Sequence, residues 1–171
     1  MNTIAQRDIK ETWKVQLQKQ SDLHTAGLIL PSGNWQKFDP FLIMAEDRFQ
    51  TKAVGDHPHR GMETVTYVID GELNHTDNKG GHGVLHAGDA QWMTAGSGLI
   101  HLETPPENVT VHTLQLWVNL PRDKKMVAPS YQDISGNNVP LRKEVGVIYR
   151  VYSGSSGNIV SPTKNHVPVN M

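Results

Sequence analysis

The sequence predicts an all-β fold, either a sandwich or a barrel. Short segments rich in β-branched or alternating apolar residues recur along the 171-residue chain, and turns containing glycine or proline separate them. The clearest are residues 64–69, 90–94 and 109–120. We find no long segment with the apolar period of an amphipathic helix. The length suits one domain with its own core and a short appendage.

The N-terminal part of the chain gives weaker signals. Residues 12–18 alternate apolar and polar side chains, which predicts a half-buried strand, although a helix beginning at Lys10 is an alternative. Residues 31–34 predict a turn. Residues 41–44 are apolar and lie between acidic residues, so we expect a short buried strand there.

The strand predicted at residues 64–69 ends at Asp70-Gly71, a dipeptide typical of hairpin turns, and residues 72–77 are the expected return strand. Residues 121–131 indicate a loop, and residues 159–171 show no clear element. Similar short apolar patterns predict further strands at residues 83–87, 90–94, 99–103, 109–120 and 145–152.

Composition excludes several classes of function. The net charge of −1 gives no positive field for a phosphate backbone or anionic lipid, so we expect no direct nucleic-acid or membrane partner. The absence of cysteine excludes disulfides, thiolate catalysis and cysteine zinc sites. Neither residues 1–8 nor any later run resembles a signal or membrane segment, which predicts a cytoplasmic protein.

Two pairs of polar residues share a spacing that suits metal binding. His57 and His59 are two residues apart, as are His101 and Glu103, and residues i and i+2 of a strand project from one face. Neighbouring strands would therefore direct three imidazoles and one carboxylate at a single ion. Iron, copper, nickel and zinc all accept imidazole. Four ligands complete a tetrahedral structural zinc site, whereas a six-coordinate ion keeps two positions open for chemistry.

Residues beside these pairs have expected supporting roles. Pro58 lacks an N–H and favours an edge strand. Asp56 and Arg60 are candidates for orienting the ligands. Gly96 and Gly98 would let the loop before His101 approach the ion closely.

For the other polar and aromatic candidates we favour ordinary structural roles. Glu63 is expected to be a strand-face charge paired with Arg60. Trp92 and Trp117 are expected in the core or the pocket wall. The remaining histidines are expected to be surface or hydrogen-bonded residues: His24, His75, His82, His86, His112 and His166.

Several longer motifs resemble the pirin family of the cupin superfamily. The resemblance extends in register from about Asp39 to Tyr131, and its motifs are specific. They are Asp39-Pro40-Phe41-Leu42, the run from His57 to Tyr67, the run from Gly88 to Gly96, the run from Leu114 to Pro121, and Pro129-Ser130-Tyr131-Gln132.

This resemblance implies a cupin β-sandwich or jelly-roll barrel with a truncated second cupin domain. Residues 1–133 would form the N-terminal cupin domain with the metal site, and residues 134–171 a remnant of the C-terminal domain. The family's ligands fall on His57, His59, His101 and Glu103. The implied cofactor is one divalent metal ion, with iron(II) expected and nickel, manganese, copper or zinc as alternatives.

The resemblance also implies an activity. Bacterial pirin-like proteins include quercetin 2,3-dioxygenases, which open a flavonol ring with O2. Glu103 would then be the catalytic base that takes the proton of the flavonol 3-hydroxyl. An alternative is a non-enzymatic, iron-binding, redox-sensitive regulator that contacts transcription or metabolic proteins. A third hypothesis is that only structural remnants of a two-cupin protein persist.

The short second domain carries a further expectation. An opening strand without its sheet would expose apolar faces and unpaired edges. A second copy of the chain would cover them, so we expect a homodimer, with exchange of terminal strands as one arrangement.

Overall fold

The computed structural model describes residues 9–171, and the prediction made for residues 1–8 lies outside them. The elements, in chain order, are β1 (Gln18–Ser21), β2 (His24–Leu30), α1 (Trp35–Phe38), β3 (Phe41–Phe49), β4 (His57–His59), β5 (Met62–Asp70), β6 (Glu72–Asp77), β7 (His82–His86), β8 (Ala90–Thr94), β9 (Leu99–Thr104), β10 (Val111–Asn119), β11 (Ser130–Ile134), β12 (Leu141–Glu144), β13 (Val147–Arg150), β14 (Ser155–Ser156) and β15 (Ile159–Val160). The predicted all-β class is confirmed.

Two antiparallel sheets form the body of the fold. One has the strand order β1-β2-β3-β10-β5-β8-β11, and the other has the order β4-β9-β6-β7. The two sheets pack face to face. This is shown by a buried apolar cluster that takes side chains from both sheets: Phe49, Val68, Leu73, Leu85 and Val111. Alternation along each strand therefore gives the large sheet an inner face toward the small sheet and an outer face away from it.

Most of the predicted central strands are confirmed. Residues 64–69 lie within β5, residues 90–94 form β8, and residues 99–103 lie within β9. The longest predicted strand, residues 109–120, corresponds to β10 with its ends trimmed. Period-two patterning was reliable here because these strands are paired on both sides or buried on at least one face.

The strand predicted at residues 12–18 is wrong, since β1 begins only at Gln18. The earlier residues instead lie against β2. The indole Nε1 of Trp13 donates to the carbonyl of Ile29 at 2.8 Å, and a Cβ on Gly27 would stand 2.8 Å from the carbonyl oxygen of Gln16. The segment's alternation thus reflects contact on one side without ladder pairing.

The Asp70-Gly71 turn is also corrected. It connects β5 of the large sheet with β6 of the small sheet, so the two strands do not form a hairpin. Both edges of β5 are already occupied, by β10 and β8. Gly71 adopts a φ of 86°, and a Cβ there would stand 3.0 Å from the carbonyl oxygen of Thr110. The dipeptide predicts a sharp turn correctly, but strand pairing determines which sheet the next strand joins.

Three other boundaries differ from prediction. The expected short strand at residues 41–44 continues to Phe49 as part of β3. Part of the region expected to be a loop forms β11. The strand expected at residues 145–152 is shorter, as β13, and it pairs with β12 in a hairpin whose turn contains Val145-Gly146, with Gly146 at a φ of 77°.

The C-terminal residues pack on the outer face of the large sheet. Val169 joins the buried cluster formed by Val65, Trp92, Leu116 and Val118. The backbone of Met171 accepts from Tyr152 N and exchanges hydrogen bonds with Ser153. Residues at the C-terminal end therefore cover an apolar surface of the large sheet; the division at residue 133 stays a prediction.

Within residues 9–171, no helix is long and apolar enough to cross a membrane.

Candidate metal centre

The two predicted ligand pairs lie on neighbouring strands. His57 and His59 are on β4, the edge strand of the small sheet, and His101 is on β9 beside it. His57 stands directly opposite His101 in the register. Pro58 is exposed at this edge, where its missing N–H breaks no ladder bond. The 42-residue separation of His59 and His101 is thus closed by strand pairing.

The three imidazoles converge on one point between the sheets. The Nε2 atoms of His57 and His101 lie 3.0 Å apart. One ring nitrogen from each of His57, His59 and His101 falls within 4.8 Å of the others. His59 and His101 are buried, at 4% and 1% exposure. Three imidazole nitrogens that converge in this way could hold a metal ion.

The chemistry of these nitrogens fits a metal. The Nε2 of His59 is buried and has no hydrogen-bond partner, although a buried polar atom normally has one. Burial, followed by the neighbouring histidines, lowers the pKa of His59 to about 4, and the same causes lower the pKa of His101 to about 3. Both rings are therefore neutral at pH 7, with lone pairs free for coordination.

The backbone orients His57. Its Nδ1 lies 2.9 Å from the carbonyl of Gly55, an acceptor only, so Nδ1 carries the proton and donates it there. The Nε2 of His57 is then the unprotonated nitrogen, and it faces the shared point.

Glu103 lies near the histidines but is held by the opposite sheet. Its Oε1 accepts from Thr66 Oγ1 at 3.0 Å, and its Oε2 accepts from Gln115 Nε2 at 2.8 Å. The geometric cluster consists of the three histidines without it. Glu103 as a fourth ligand and as the catalytic base stays a prediction.

A line of polar groups fixes that carboxylate. Trp117 Nε1 donates to Gln115 Oε1 at 2.9 Å, which directs the Gln115 amide N–H toward Glu103. The Trp117 ring also meets the His59 ring edge-on, with centroids 5.1 Å apart. Trp117 therefore forms part of the site wall, and Trp92 is a fully buried core residue, as expected for each.

A small cavity of about 100 Å³ adjoins the histidines, and its lining includes His57, Thr66, Glu103, Gln115 and Asp47. Asp47 also lines an open groove of about 690 Å³ over β1, β2 and β3. There Asp47 pairs with His24 at 2.8 Å, and burial raises the pKa of its carboxyl group. Asp47 thus lies between the groove and the cavity beside the histidines.

The sequence did not identify His75 as part of the centre. His75 is fully buried, and its Nδ1 lies 3.3 Å from Nδ1 of His101. The available signal was β-strand alternation: His75 and Asp77 share one face of β6, with the spacing of the two predicted ligand pairs.

Other expected neighbours have different roles. Asp56 is exposed, and the Arg60 guanidinium contacts Met126 Sδ at 3.7 Å. The expected pairing of Glu63 with Arg60 is wrong. Glu63 is fully buried on the outer face, where its Oε1 accepts from Thr94 Oγ1 at 2.9 Å. Residue identity alone could not show which face of β5 would be covered.

Gly96 serves packing of the loop before β9. Its φ is 51°, and a Cβ there would stand 2.1 Å from the carbonyl oxygen of Val127. Gly96 therefore allows a close approach to the loop that contains Val127, and not to the ion as expected. Around Gly98, with a φ of 134°, a Cβ would meet nothing within 4 Å.

Comparison with protein families gives a match to the model described as Pirin over residues 22–118. Among curated proteins, Pirin-1 of Arabidopsis thaliana is 47% identical over 131 residues, covering 76% of this chain and 45% of its own length. The chain spans about half the length of the curated relatives it matches.

Solved structures give the same picture. A Geobacillus kaustophilus protein has a TM-score of 0.93 and 52% identity, covering 95% of this chain and 66% of its own. A quercetin 2,3-dioxygenase of Acinetobacter baumannii has a TM-score of 0.76 and 31% identity, covering 91% and 59%. A nickel(II) complex of a bacterial pirin from Escherichia coli has a TM-score of 0.58 and 25% identity, covering 70% and 53%. The expected cupin fold is confirmed.

Proposed function

Because this chain belongs to the pirin family, we propose that it is a metal-dependent dioxygenase that cleaves quercetin or a related flavonol with O2. The observation that carries the proposal is the cluster of three histidines, positioned to bind a metal ion between the sheets. The quercetin 2,3-dioxygenase of Acinetobacter baumannii is a structural neighbour at 31% identity, which supports the choice of reaction.

The proposed cofactor is one divalent ion held by His57, His59 and His101, with Glu103 as a fourth ligand. When bound, it supplies Lewis-acid and redox chemistry toward an aromatic hydroxyl and O2. Iron(II) is our first choice because imidazole with carboxylate suits it. Nickel, manganese, copper and zinc are alternatives, and nickel occurs in the Escherichia coli relative.

The proposed role of Glu103 is to take the proton of the flavonol 3-hydroxyl. Thr66 and Gln115 each donate a hydrogen bond to this carboxylate and so hold it in one orientation. An ionised carboxylate held in one orientation is the form that a base requires. The proton would rest on a Glu103 oxygen until the product leaves.

The surroundings suit a flat aromatic substrate. Trp117 offers a ring beside His59, and the groove that shares Asp47 with the cavity is large enough for part of a polyphenol. Its Gln16, Gln18 and Lys14 side chains provide partners for hydroxyl groups.

The test is loss of flavonol absorbance and uptake of O2 by metal-loaded protein, with His57→Ala compared with wild type. We expect loss of at least about 100-fold in His57→Ala, since one of the three proposed histidine ligands is removed. His112→Leu is the matched control, because His112 pairs with Glu46 at 2.9 Å on the outer face of β10. Turnover that survives in His57→Ala, or its absence in fully metal-loaded wild type, would contradict the proposal.

A non-enzymatic metal-binding regulator is the second candidate function. It is favoured by curated relatives whose names, Pirin-1 and Pirin, state no reaction. Metal-loaded protein without turnover, but with a partner captured only in the loaded form, would support it. Less than about a tenth of an equivalent of metal after reconstitution would favour the structural-remnant hypothesis.

The homodimer also stays a proposal. The β12–β13 hairpin exposes apolar side chains, with Ile148 at 62% and Val147 at 45% exposure, and such surface favours association. Light scattering at micromolar concentration would show the dimer, and a stable monomer would contradict it.

A further inference from the structure

We propose that His75 and Asp77 form a positioning pair that selects the metal-binding tautomer of His101 and strengthens its hold on the ion. The inference rests on the metal site of the proposed function and does not depend on which reaction occurs there. Neither residue belongs to the set of ligands predicted from the sequence.

Strand register brings the groups together. Within the small sheet, β6 pairs with β9, so that Asp77 stands opposite His101 and His75 stands opposite Glu103. Directly opposite residues project from the same face. Two residues of β6 therefore lie beside the two predicted metal-site residues of β9.

The imidazoles of His75 and His101 are in direct contact, and both are buried. Nδ1 of His75 lies 3.3 Å from Nδ1 of His101, and the exposures are 0% and 1%. The ring of Tyr131 covers His75 from the opposite sheet at 5.2 Å between centroids. With both rings buried, the contact between the two Nδ1 atoms is the hydrogen bond that the protein provides for these two nitrogens.

The direction of this hydrogen bond follows from the metal site. Nε2 of His101 faces Nε2 of His57 and must keep its lone pair to bind an ion. His101 then carries its proton on Nδ1 and donates to Nδ1 of His75. The opposite direction would place a proton on Nε2 of His101 and block coordination.

Because Nδ1 of His75 accepts this hydrogen bond, the ring proton of His75 lies on Nε2. This buried atom has no hydrogen-bond partner, and Oδ2 of Asp77 lies 3.8 Å away. The carboxylate favours the N–H on that side of the ring. Asp77 is itself fixed, because its Oδ1 accepts from the backbone N–H groups of Lys79 at 2.6 Å and Gly81 at 2.9 Å.

Gly81 is required for this arrangement. A Cβ at residue 81 would stand 2.2 Å from Oδ2 of Asp77 and 2.5 Å from the ring of Tyr131. The glycine thus leaves room for both groups that enclose His75. The turn that follows β6 therefore also shapes the surroundings of the metal centre.

Three substitutions at the pair separate positioning from packing. His75→Leu keeps a buried side chain of similar size but removes the acceptor. His75→Asn places an amide oxygen near the Nδ1 position and restores the acceptor. Asp77→Asn removes the charge while keeping an oxygen for the two backbone donors. His112→Leu, the outer-face control, removes a histidine–carboxylate pair far from the ligands.

The probe is cobalt(II), with affinity measured by chelator competition and the ligand field by visible absorption. We expect His75→Leu to weaken binding by about 10- to 100-fold and to alter the cobalt spectrum. His75→Asn should recover most of both, Asp77→Asn should lose less than His75→Leu, and His112→Leu should match wild type. Thermal unfolding of each apo protein reports any loss of fold.

Wild-type affinity and spectrum in His75→Leu would overturn the inference, as would equal losses in His75→Leu and His75→Asn. A wild-type protein that binds no cobalt would overturn it as well. Wild type that binds cobalt and responds to His75 substitution, yet leaves flavonol unchanged, would refute only the proposed reaction.

Discussion

The inner and outer faces of the large sheet are built from the same strands but serve different purposes. On β5 and β10 the inner face presents Thr66 and Gln115 to Glu103. The outer face presents Val65 and Leu116 to the C-terminal residues. A period of two thus separates chemistry from packing within one strand. Substitutions on the outer face should therefore act on stability, and those on the inner face on metal binding.

The largest expected effect comes from the outer face. Trp92→Ala removes a fully buried ring and should lower the free energy of unfolding by roughly 3–5 kcal/mol. Chemical denaturation of the apo protein measures it. Trp92→Phe is the control, since it keeps a ring and deletes an Nε1 that has no partner. Equal losses in both variants would contradict a packing role.

The next effect concerns the inner face. His59→Leu removes an unpartnered nitrogen directed into the cluster and should weaken cobalt(II) binding by at least about 100-fold, or roughly 2.7 kcal/mol. The apo protein should be no less stable, because an unsatisfied buried polar atom is also removed. Titration with chelator competition gives the affinity. Unchanged affinity would show that His59 is not a ligand.

The dependence of stability on pH should also differ between variants of the inner and the outer face. Burial lowers the folded-state pKa of His59 to about 4 from the ordinary value of 6.5. Between about pH 6.5 and pH 4, His59 is protonated in the unfolded chain but not in the folded chain. The free energy of unfolding therefore decreases as the pH is lowered through this range. Lowering the pH from about 7 to about 5 should decrease the free energy of unfolding of the apo protein by on the order of 2 kcal/mol through His59 alone.

Denaturation at several pH values tests this expectation. His59→Gln should flatten the dependence, whereas the outer-face variant Trp92→Phe should keep it. A pH profile of His59→Gln that is identical to wild type would assign the loss to other groups.

The smallest predicted effect separates two roles of Glu103. Gln115→Leu removes the donor to Oε2 and should lower apo stability by roughly 1–2 kcal/mol. If Glu103 is a ligand, the less restrained carboxylate should also change cobalt affinity by several-fold. Parallel denaturation and cobalt titration distinguish the outcomes, and Thr113→Val, a neighbouring buried substitution on β10, is the control.

The sequence by itself determined the fold class, most central strands and the cluster of histidines. Those results depend on local information: a period of two shows which residues share a face, and the spacing of His57 with His59 needs nothing else. The motifs from His57 to Tyr67 and from Gly88 to Gly96 indicated the family, which the comparisons confirm.

Tertiary structure decided what depends on partners distant in sequence. Pairing of β5 on both edges made Asp70-Gly71 a crossover, and packing of Val169 gave β5 a buried outer face that holds Glu63. Register between β6 and β9 placed His75 behind His101. A histidine's environment is set by the strand that lies beside it, and only the folded chain shows which strand that is.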